Sequence, residues 1–218
     1  MRKIVVSFDL DFTLINNKQG ILNSFKFAFE NFKLPQINSE DLIKTIGIPL
    51  RKAFQKFTNF DPEKLIIAFR DFYSRKGIHQ VELYPTVIKL LEDLRKENII
   101  IGVVTSKKKE LAIKLLKNLG ILHYFDFIIG ESSEIKAKTD PKVKQYFITN
   151  FPEFNYIVVG DNPSDKNLAI MLECPFIGLL TGTSSHIELE NECNIPILIL
   201  DDISYLTNNK IKRIIEIS

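Results

Sequence analysis

Two aspartates, Asp9 and Asp11, follow an apolar run close to the start of the 218-residue chain. The stretch from residue 4 to residue 14 begins with apolar and β-branched side chains, which is typical of a buried strand in a parallel sheet. Two carboxylates so close together repel each other and tend to raise each other's pKa, and a hard divalent cation such as Mg²⁺ would relieve that repulsion. A polar turn with both acids in solvent is the alternative, and this stretch alone favours neither.

Hydroxyl groups follow a second apolar run, residues 99–104, which also predicts a buried strand. Thr105 and Ser106 stand at its end, before a predicted helix. A hydroxyl in that position can bind phosphate together with the free backbone N–H groups of the helix. Taken alone, the pair more often caps a helix, so capping is the favoured interpretation of these two residues by themselves.

Lysines occur in two places that bear on such a site. Lys136 and Lys138 precede a predicted helix, where either could neutralise a phosphate, although a solvated loop is the commoner place for one lysine. Three consecutive lysines at 107–109 follow Ser106. Because cations are unfavourable at a helix start, one of them could face a phosphate, but composition favours an exposed, solvated face.

A fourth cluster, Gly-Asp-Asn-Pro-Ser-Asp at residues 160–165, supplies two further carboxylates, Asp161 and Asp165. It follows the apolar run 156–159, and an Asx-type turn that caps the next helix is the alternative interpretation. In open parallel sheets, ligands bind beyond the carboxyl ends of the strands. All four clusters follow predicted strands, so this shared position carries more weight than any single motif.

The elements that would position these clusters alternate along the second part of the chain. From residue 84 onward, predicted strands alternate with helices, which indicates an α/β fold with a central parallel sheet covered on both faces. Residues 16–80 show helical periodicity instead. We therefore predict a core formed by residues 1–15 and 81–218, with an inserted all-helical domain at 16–80. The predicted strands after the first are 99–104, 127–129, 156–159, 175–179 and 197–200.

Composition narrows the classes of partner and compartment. The chain is 45% hydrophobic and 26% charged with a formal net charge of +2, which favours neither a nucleic acid nor a membrane partner. Two cysteines, Cys174 and Cys193, are too few for a disulfide framework and indicate reduced thiols in a cytoplasmic protein. The N-terminal residues lack a signal-peptide pattern. The sequence is compatible with a monomer or a homodimer.

Together the four clusters resemble the motifs of the haloacid dehalogenase-like hydrolase superfamily. The first motif, Asp-x-Asp-x-Thr, is matched by residues 9–13, and the fourth, Gly-Asp-x-x-x-Asp, by residues 160–165. The second, a Thr or Ser at a strand end, is matched by Thr105. The third is a Lys, often in Lys-Pro-x-Pro, matched by residues 138–141 with Thr in place of the first Pro. The motifs occur in the family's order and span nearly the whole chain.

The helical insertion resembles the C1-type cap of the phosphoglycolate-phosphatase-like branch of this superfamily. Residues 47–51 in the insertion, 83–85 at its exit and 180–182 after a later strand are also similar to that branch. The sequence departs from the family pattern at Phe12, where Gly is common, and at Thr86, where Gly is frequent. Neither departure removes a reactive group.

The resemblance implies a Rossmann-like three-layer core and a phosphatase that uses Mg²⁺ as cofactor. Its substrate would be a small phosphorylated metabolite, such as a phosphoglycolate-like compound, a sugar phosphate or a nucleotide. Asp9 would attack phosphorus to give an aspartyl-phosphate, while Asp11 would protonate the leaving oxygen and then deprotonate water. Thr105 and Lys138 would bind the transferred phosphoryl oxygens, with Ser106 as a further phosphate-binding candidate. The cap would close over the site and select the leaving group.

The metal ligands implied by the resemblance are Asp9, the backbone carbonyl of Asp11, and Asp161. Asp165 would bind Mg²⁺ directly or orient its waters. The alternative activity is a phosphomutase of the β-phosphoglucomutase type, in which the fourth motif tends to begin Glu-Asp, so Gly160 favours a phosphatase. A dehalogenase, which needs no metal, and a non-catalytic phosphoryl-binding protein are less favoured.

Overall fold

A six-stranded parallel sheet forms the centre of the larger part of the fold, as the sequence predicted. The computed structural model describes residues 3–46, 48–191 and 193–217, so Gly47 of the predicted motif 47–51 lies outside the described residues. The strands are β1 (Ile4–Phe8), β2 (Ile15–Asn16), β3 (Glu82–Leu83), β4 (Ile100–Lys108), β5 (Phe127–Glu131), β6 (Asn155–Gly160), β7 (Phe176–Leu179) and β8 (Ile197–Leu200).

Helices flank this sheet and also form the inserted segment. They are α1 (Lys18–Asn31), α2 (Ser39–Ile43), α3 (Leu50–Gln55), α4 (Pro62–Arg75), α5 (Val87–Lys96), α6 (Lys109–Asn118), α7 (Pro141–Asn150), α8 (Pro163–Leu172), α9 (His186–Glu190) and α10 (Asn208–Glu216). Short 3₁₀ helices occur at Gly77–His79, Leu122–Tyr124 and Ile203–Tyr205. Among the described residues, no helix is both long enough and apolar enough to cross a membrane.

The first strand occupies the middle of the sheet, whose order is β5-β4-β1-β6-β7-β8. Phe8, the last residue of β1, is paired with Val103 of β4 and Val159 of β6. The carboxyl ends of these three strands therefore meet at one edge of the sheet, because all the pairings are parallel. This register brings together residues that are far apart in sequence.

The end of β4 corrects the sequence-based prediction. The strand was expected to stop at residue 104, with Thr105 and Ser106 before a helix start, but it continues to Lys108 with a register shift after Val104. Helix α6 begins at Lys109, so Ser106 is not the cap that its position predicted. Before the shift Val104 is paired with Ile129 of β5, and after it Lys108 is paired with Glu131. The strand therefore continues beyond its apolar run with a changed register.

The chain forms two compact units, one of Met1–Ile15 with Leu83–Ser218 and the other of Asn16–Glu82. In the second unit, Asp61 caps α4 by accepting a hydrogen bond from the Glu63 N–H, and Pro62 occupies the first turn of the helix. Its core is aromatic: the ring of Phe25 lies 5.0 Å from that of Phe54 and 4.9 Å from that of Phe69. All three side chains are buried.

Phe147 of α7 anchors the core on one side of the parallel sheet. Its ring is fully buried, 5.5 Å from that of Phe127 and 5.3 Å from that of Tyr156. We expect Phe147→Ala to lower the free energy of unfolding by about 3–5 kcal/mol, because it removes buried area and leaves a cavity. Urea unfolding followed by circular dichroism measures the change.

Ile148, the next residue of the same helix, is 48% exposed and provides the control. Ile148→Ala is expected to change the free energy of unfolding by less than about 1 kcal/mol. Equal losses in the two variants would contradict the packing described for Phe147.

Candidate active site

Asp9 is fixed to the sheet at the point where β1 ends. Its backbone N–H donates a hydrogen bond to the carbonyl of Val159 in β6 at 2.8 Å, and the residue is 6% exposed. The chain then turns sharply, with Phe12 in the left-handed region at a φ of 60°. Asp11 lies beyond the end of β1, just before this turn, and keeps a side chain that is 27% exposed. The two aspartates thus occupy different environments, one buried and one at the edge.

Asp161 and Asp165 follow the end of β6 on the neighbouring strand. Asn162 caps α8, and its backbone N–H donates to the Asp165 carboxylate at 3.2 Å, which completes a capping box. Asp161 accepts a hydrogen bond from the hydroxyl of Thr13 at 3.0 Å. The predicted Asx-type cap and the predicted pair of acids therefore exist together, because one turn supplies both.

Lys138 connects two of these carboxylates. Its ammonium nitrogen lies 2.8 Å from Asp9 Oδ1 and 2.5 Å from Asp165 Oδ1, and its side chain is 4% exposed. Burial alone would lower the pKa of Lys138, but the charges of Asp165 and Asp9 outweigh burial and raise it. Lys136 is exposed and donates instead to the carbonyl of Ser132, so only Lys138 of these two lysines reaches the carboxylates.

Three buried carboxylates lie close enough to hold one metal ion. Asp9, Asp161 and Asp165 each offer an oxygen, and these oxygens all lie within 4.8 Å of one another. Burial, followed by the charge of Asp9, raises the pKa of Asp161 well above its ordinary value. Burial likewise raises the pKa of Asp165, against the opposing effect of Lys138. A cluster of oxygen ligands with unfavourable mutual repulsion fits a hard divalent cation such as Mg²⁺.

The loop after β7 packs directly against this cluster. A Cβ atom added at Gly182 would lie 2.0 Å from Asp161 Oδ2, so only glycine allows the chain to pass there. The hydroxyl of Thr181 donates to the carbonyl of Phe12, which ties the loop to the turn that follows Asp9. Nearby, burial and the charge of Asp161 raise the pKa of Tyr84 to about 12. The loop after β7 therefore contacts both the Asp161 carboxylate and the turn at Phe12.

The predicted phosphate-binding hydroxyls have different environments. Thr105 is 4% exposed and accepts a hydrogen bond from the Lys107 backbone N–H at 3.3 Å. It follows Val103 by two positions, so it lies beyond the level of Phe8 at the edge where Asp9 emerges. Ser106, the next residue, is exposed.

Lys107 lies against Asp11, so the favoured interpretation of residues 107–109 as a solvated face is wrong for this lysine. Its side chain is only 9% exposed, and its ammonium nitrogen lies 3.0 Å from Asp11 Oδ2. Burial raises the pKa of Asp11, and the charge of Lys107 acts against that rise. The available signal was the position of Lys107, two residues after the strand-end hydroxyl of Thr105.

Thr13 is the second residue whose contact was not predicted. It is fully buried and donates its hydroxyl hydrogen to Asp161, although the sequence analysis used it only to match the first motif. A threonine two positions after Asp11, in an otherwise apolar stretch, was the available signal, since a buried hydroxyl needs a partner.

Removing the Lys138 ammonium is expected to destabilise the metal-free protein. Lys138→Met leaves Asp9 and Asp165 buried without their counter-charge, which should lower the free energy of unfolding by about 3 kcal/mol at pH 8. Urea unfolding in the presence of a chelator measures the change.

The matched control is Lys136→Met in the same loop, where the side chain is exposed. This variant should stay within about 0.5 kcal/mol of the wild type. Equal stability of the two variants would show that the Lys138 ion pairs are not part of the folded state.

Comparisons with known proteins agree with this geometry. The family described as haloacid dehalogenase-like hydrolase matches residues 6–179. A pyrophosphatase, PpaX, from Bacillus cereus is 30% identical over 167 residues, which cover 76% of this chain and 77% of that protein.

Solved structures give the same result. A haloacid dehalogenase-like family hydrolase from Streptococcus pneumoniae superposes with a TM-score of 0.81 at 29% identity, covering 90% of this chain and 93% of the other. A structure described as a predicted phosphatase, from Clostridium acetobutylicum, gives a TM-score of 0.79 at 28% identity and covers 99% of both chains.

Proposed function

The chain belongs to the haloacid dehalogenase-like hydrolase family, and we propose that it hydrolyses a small phosphorylated metabolite with Mg²⁺, through an aspartyl-phosphate on Asp9. The resemblance found in the four motifs is confirmed, as is the prediction of an enzyme of the phosphatase class. The names of the relatives make pyrophosphate, a phosphoric anhydride, one candidate substrate and leave phosphate monoesters as alternatives.

The observation that carries this proposal is the meeting of three carboxylates and one ammonium group at the carboxyl edge of the sheet. Asp9, Asp161 and Asp165 approach one another within 4.8 Å, and Lys138 contacts two of them. Such a site can hold a cation and a phosphoryl group together, because their charges offset those of the side chains. When bound, Mg²⁺ would be held by these three carboxylates and the Asp11 carbonyl, and it would withdraw charge from the phosphoryl oxygens.

In the first half-reaction, a carboxylate oxygen of Asp9 forms a bond to phosphorus while the bond from phosphorus to the leaving oxygen breaks. Asp11 gives its proton to that oxygen, so the product leaves protonated. The raised pKa of Asp11 favours the protonated form that this step requires. Lys138 and Thr105 bind oxygens of the transferred group, which holds phosphorus in line for attack.

In the second half-reaction, water attacks phosphorus and the bond to Asp9 breaks. Asp11 now accepts the proton of the water, which restores both aspartates and releases phosphate. Separate environments suit these separate roles: Asp9 is fixed to β6 by its backbone, whereas Asp11 is partly open to solvent. The pairing of a rigid nucleophile with an accessible acid supports the assignment.

Loss of either aspartate should abolish or strongly reduce turnover. Asp9→Asn removes the nucleophile and should reduce phosphate release from para-nitrophenyl phosphate to the rate measured in buffer without enzyme. Asp11→Asn keeps the nucleophile but cannot exchange the proton, so kcat should fall by about 10²–10⁴-fold. Steady-state kinetics with added Mg²⁺ measures both variants.

Asp201→Asn replaces an exposed aspartate of the same unit and serves as the control, with activity expected to equal that of the wild type. Phosphate release by Asp9→Asn at the rate of the wild type would contradict the aspartyl-phosphate mechanism. Transfer of phosphate between positions of a sugar, without release to water, would indicate the phosphomutase alternative.

Mg²⁺ should stabilise the folded protein, because only the fold assembles the three carboxylates. At free Mg²⁺ about 100 times its Kd, the free energy of unfolding should rise by about 2.7 kcal/mol, seen as a higher Tm. The raised pKa values of Asp161 and Asp165 mean that these carboxyls take up protons as the pH falls, so the Mg²⁺ effect should shrink from pH 8 to pH 5.

Asp161→Asn removes one ligand and should lose most of the Mg²⁺-induced shift at pH 8. An equal shift in this variant and the wild type would place the stabilising cation elsewhere on the protein.

We also propose roles for the two parts of the chain and a compartment for the protein. Residues 1–15 and 81–218 would act as the hydrolase core, with 16–80 as the cap domain. The setting would be the cytoplasm, where Cys174 and Cys193 stay as free thiols.

A further inference from the structure

We propose that Lys107 determines specificity by binding a substrate whose leaving group carries negative charge next to the bridging oxygen, such as the phosphate that leaves pyrophosphate. This inference rests on the proposed function, because it assigns the leaving-group side of the same reaction. Neutral leaving groups, such as phenol or an uncharged sugar, would lack the contact.

The first support is the environment of the Lys107 ammonium group. Its side chain is 9% exposed, although the neighbouring Ser106, Lys108 and Lys109 are all exposed. The ammonium nitrogen lies 3.0 Å from Asp11 Oδ2, so the buried charge is directed at one specific carboxylate. A lysine is rarely buried unless it is paired, and this pairing selects the residue that exchanges the proton with the leaving oxygen.

The second support is the position of Lys107 on β4. It follows Thr105 by two residues, in the part of β4 where the pairing with β5 is irregular. The backbone N–H of Lys107 donates to the Thr105 hydroxyl oxygen at 3.3 Å, so the segment that carries both is locally ordered. A group bound between Thr105 and Asp11 would therefore lie beside Lys107.

The third support is that the ammonium groups of Lys107 and Lys138 contact different carboxylates. Lys138 contacts Asp9 and Asp165, the carboxylates on the side of the transferred phosphoryl group. Lys107 contacts Asp11, the acid on the side of the leaving group. The site thus has one cation for each half of a substrate that is anionic on both sides of the bond that breaks.

The chemistry of this contact is simple. When Asp9 attacks one phosphorus of pyrophosphate, the bridging oxygen takes a proton from Asp11 and departs with the second phosphorus. Asp11 must lie within about 3 Å of that oxygen to donate its proton. The Lys107 ammonium, 3.0 Å from Asp11 Oδ2, would then lie on the same side of the site as the non-bridging oxygens of the departing phosphate. Those oxygens are acceptors for a charge-assisted hydrogen bond, and an uncharged leaving group has no equivalent.

The test compares two substrates in one variant. For Lys107→Met we expect kcat/KM to fall by about 30-fold for pyrophosphate and by less than about 3-fold for phenyl phosphate, because only pyrophosphate loses a charge-assisted contact. Lys108→Met, at the exposed neighbouring lysine, should change neither value. The ratio of the two kcat/KM values does not depend on the fraction of active protein, so partial unfolding of the variant leaves it interpretable.

A binding measurement separates the two halves of the site. Methylenediphosphonate, which mimics both halves, and tungstate, which mimics the transferred group, are each used as competitive inhibitors of phenyl phosphate hydrolysis. Lys107→Met should raise the Ki of methylenediphosphonate by about 10-fold or more and leave the Ki of tungstate unchanged.

Two results would overturn the inference. Equal losses for both substrates would show that Lys107 acts only by positioning Asp11, and unchanged kinetics would show that it contributes nothing. Failure of the proposed function looks different: the wild type itself would then release no phosphate from either substrate in the presence of Mg²⁺.

Discussion

The ion pairs of the Lys138 ammonium group with Asp9 and Asp165 are the interactions on which the rest of the site depends. Three buried carboxylates within 4.8 Å of one another would repel strongly if no cation lay among them. Removing one partner from such a group leaves uncompensated charge in the interior, so the lysine and the acids are stable only as a set. The same contacts aim the ammonium group at the place where a phosphoryl group would bind.

Backbone contacts hold these charges in place. The hydrogen bond from the Asp9 N–H to Val159 ties the first strand to the strand that delivers Asp161, and the capping box at Asn162 orients Asp165. Gly182 lets the following loop support Asp161 without a side chain in between. Asp165 therefore serves both purposes, because its carboxylate accepts the capping hydrogen bond and also pairs with Lys138.

The sequence predicted well where the strands that carry the acidic residues end. An apolar run followed by Asp9 and Asp11, and another followed by Gly160 and Asp161, show directly where a parallel strand delivers its polar residues. Lys107 was assigned wrongly because the prediction ended β4 at Val104, its last apolar residue, and a run of lysines has no apolar alternation to extend a strand. Pairing with β5 extends the strand to Lys108. This pairing is a tertiary contact that the local sequence does not encode.

The central place of β1 has a consequence for how the protein is made. Its two neighbours, β4 and β6, begin about a hundred and a hundred and fifty residues further along the chain. The first strand emerges from the ribosome long before either partner, with both edges unpaired and its apolar faces uncovered. Contacts so distant in sequence slow folding, so the nascent segment depends on staying unaggregated until the later strands are synthesised.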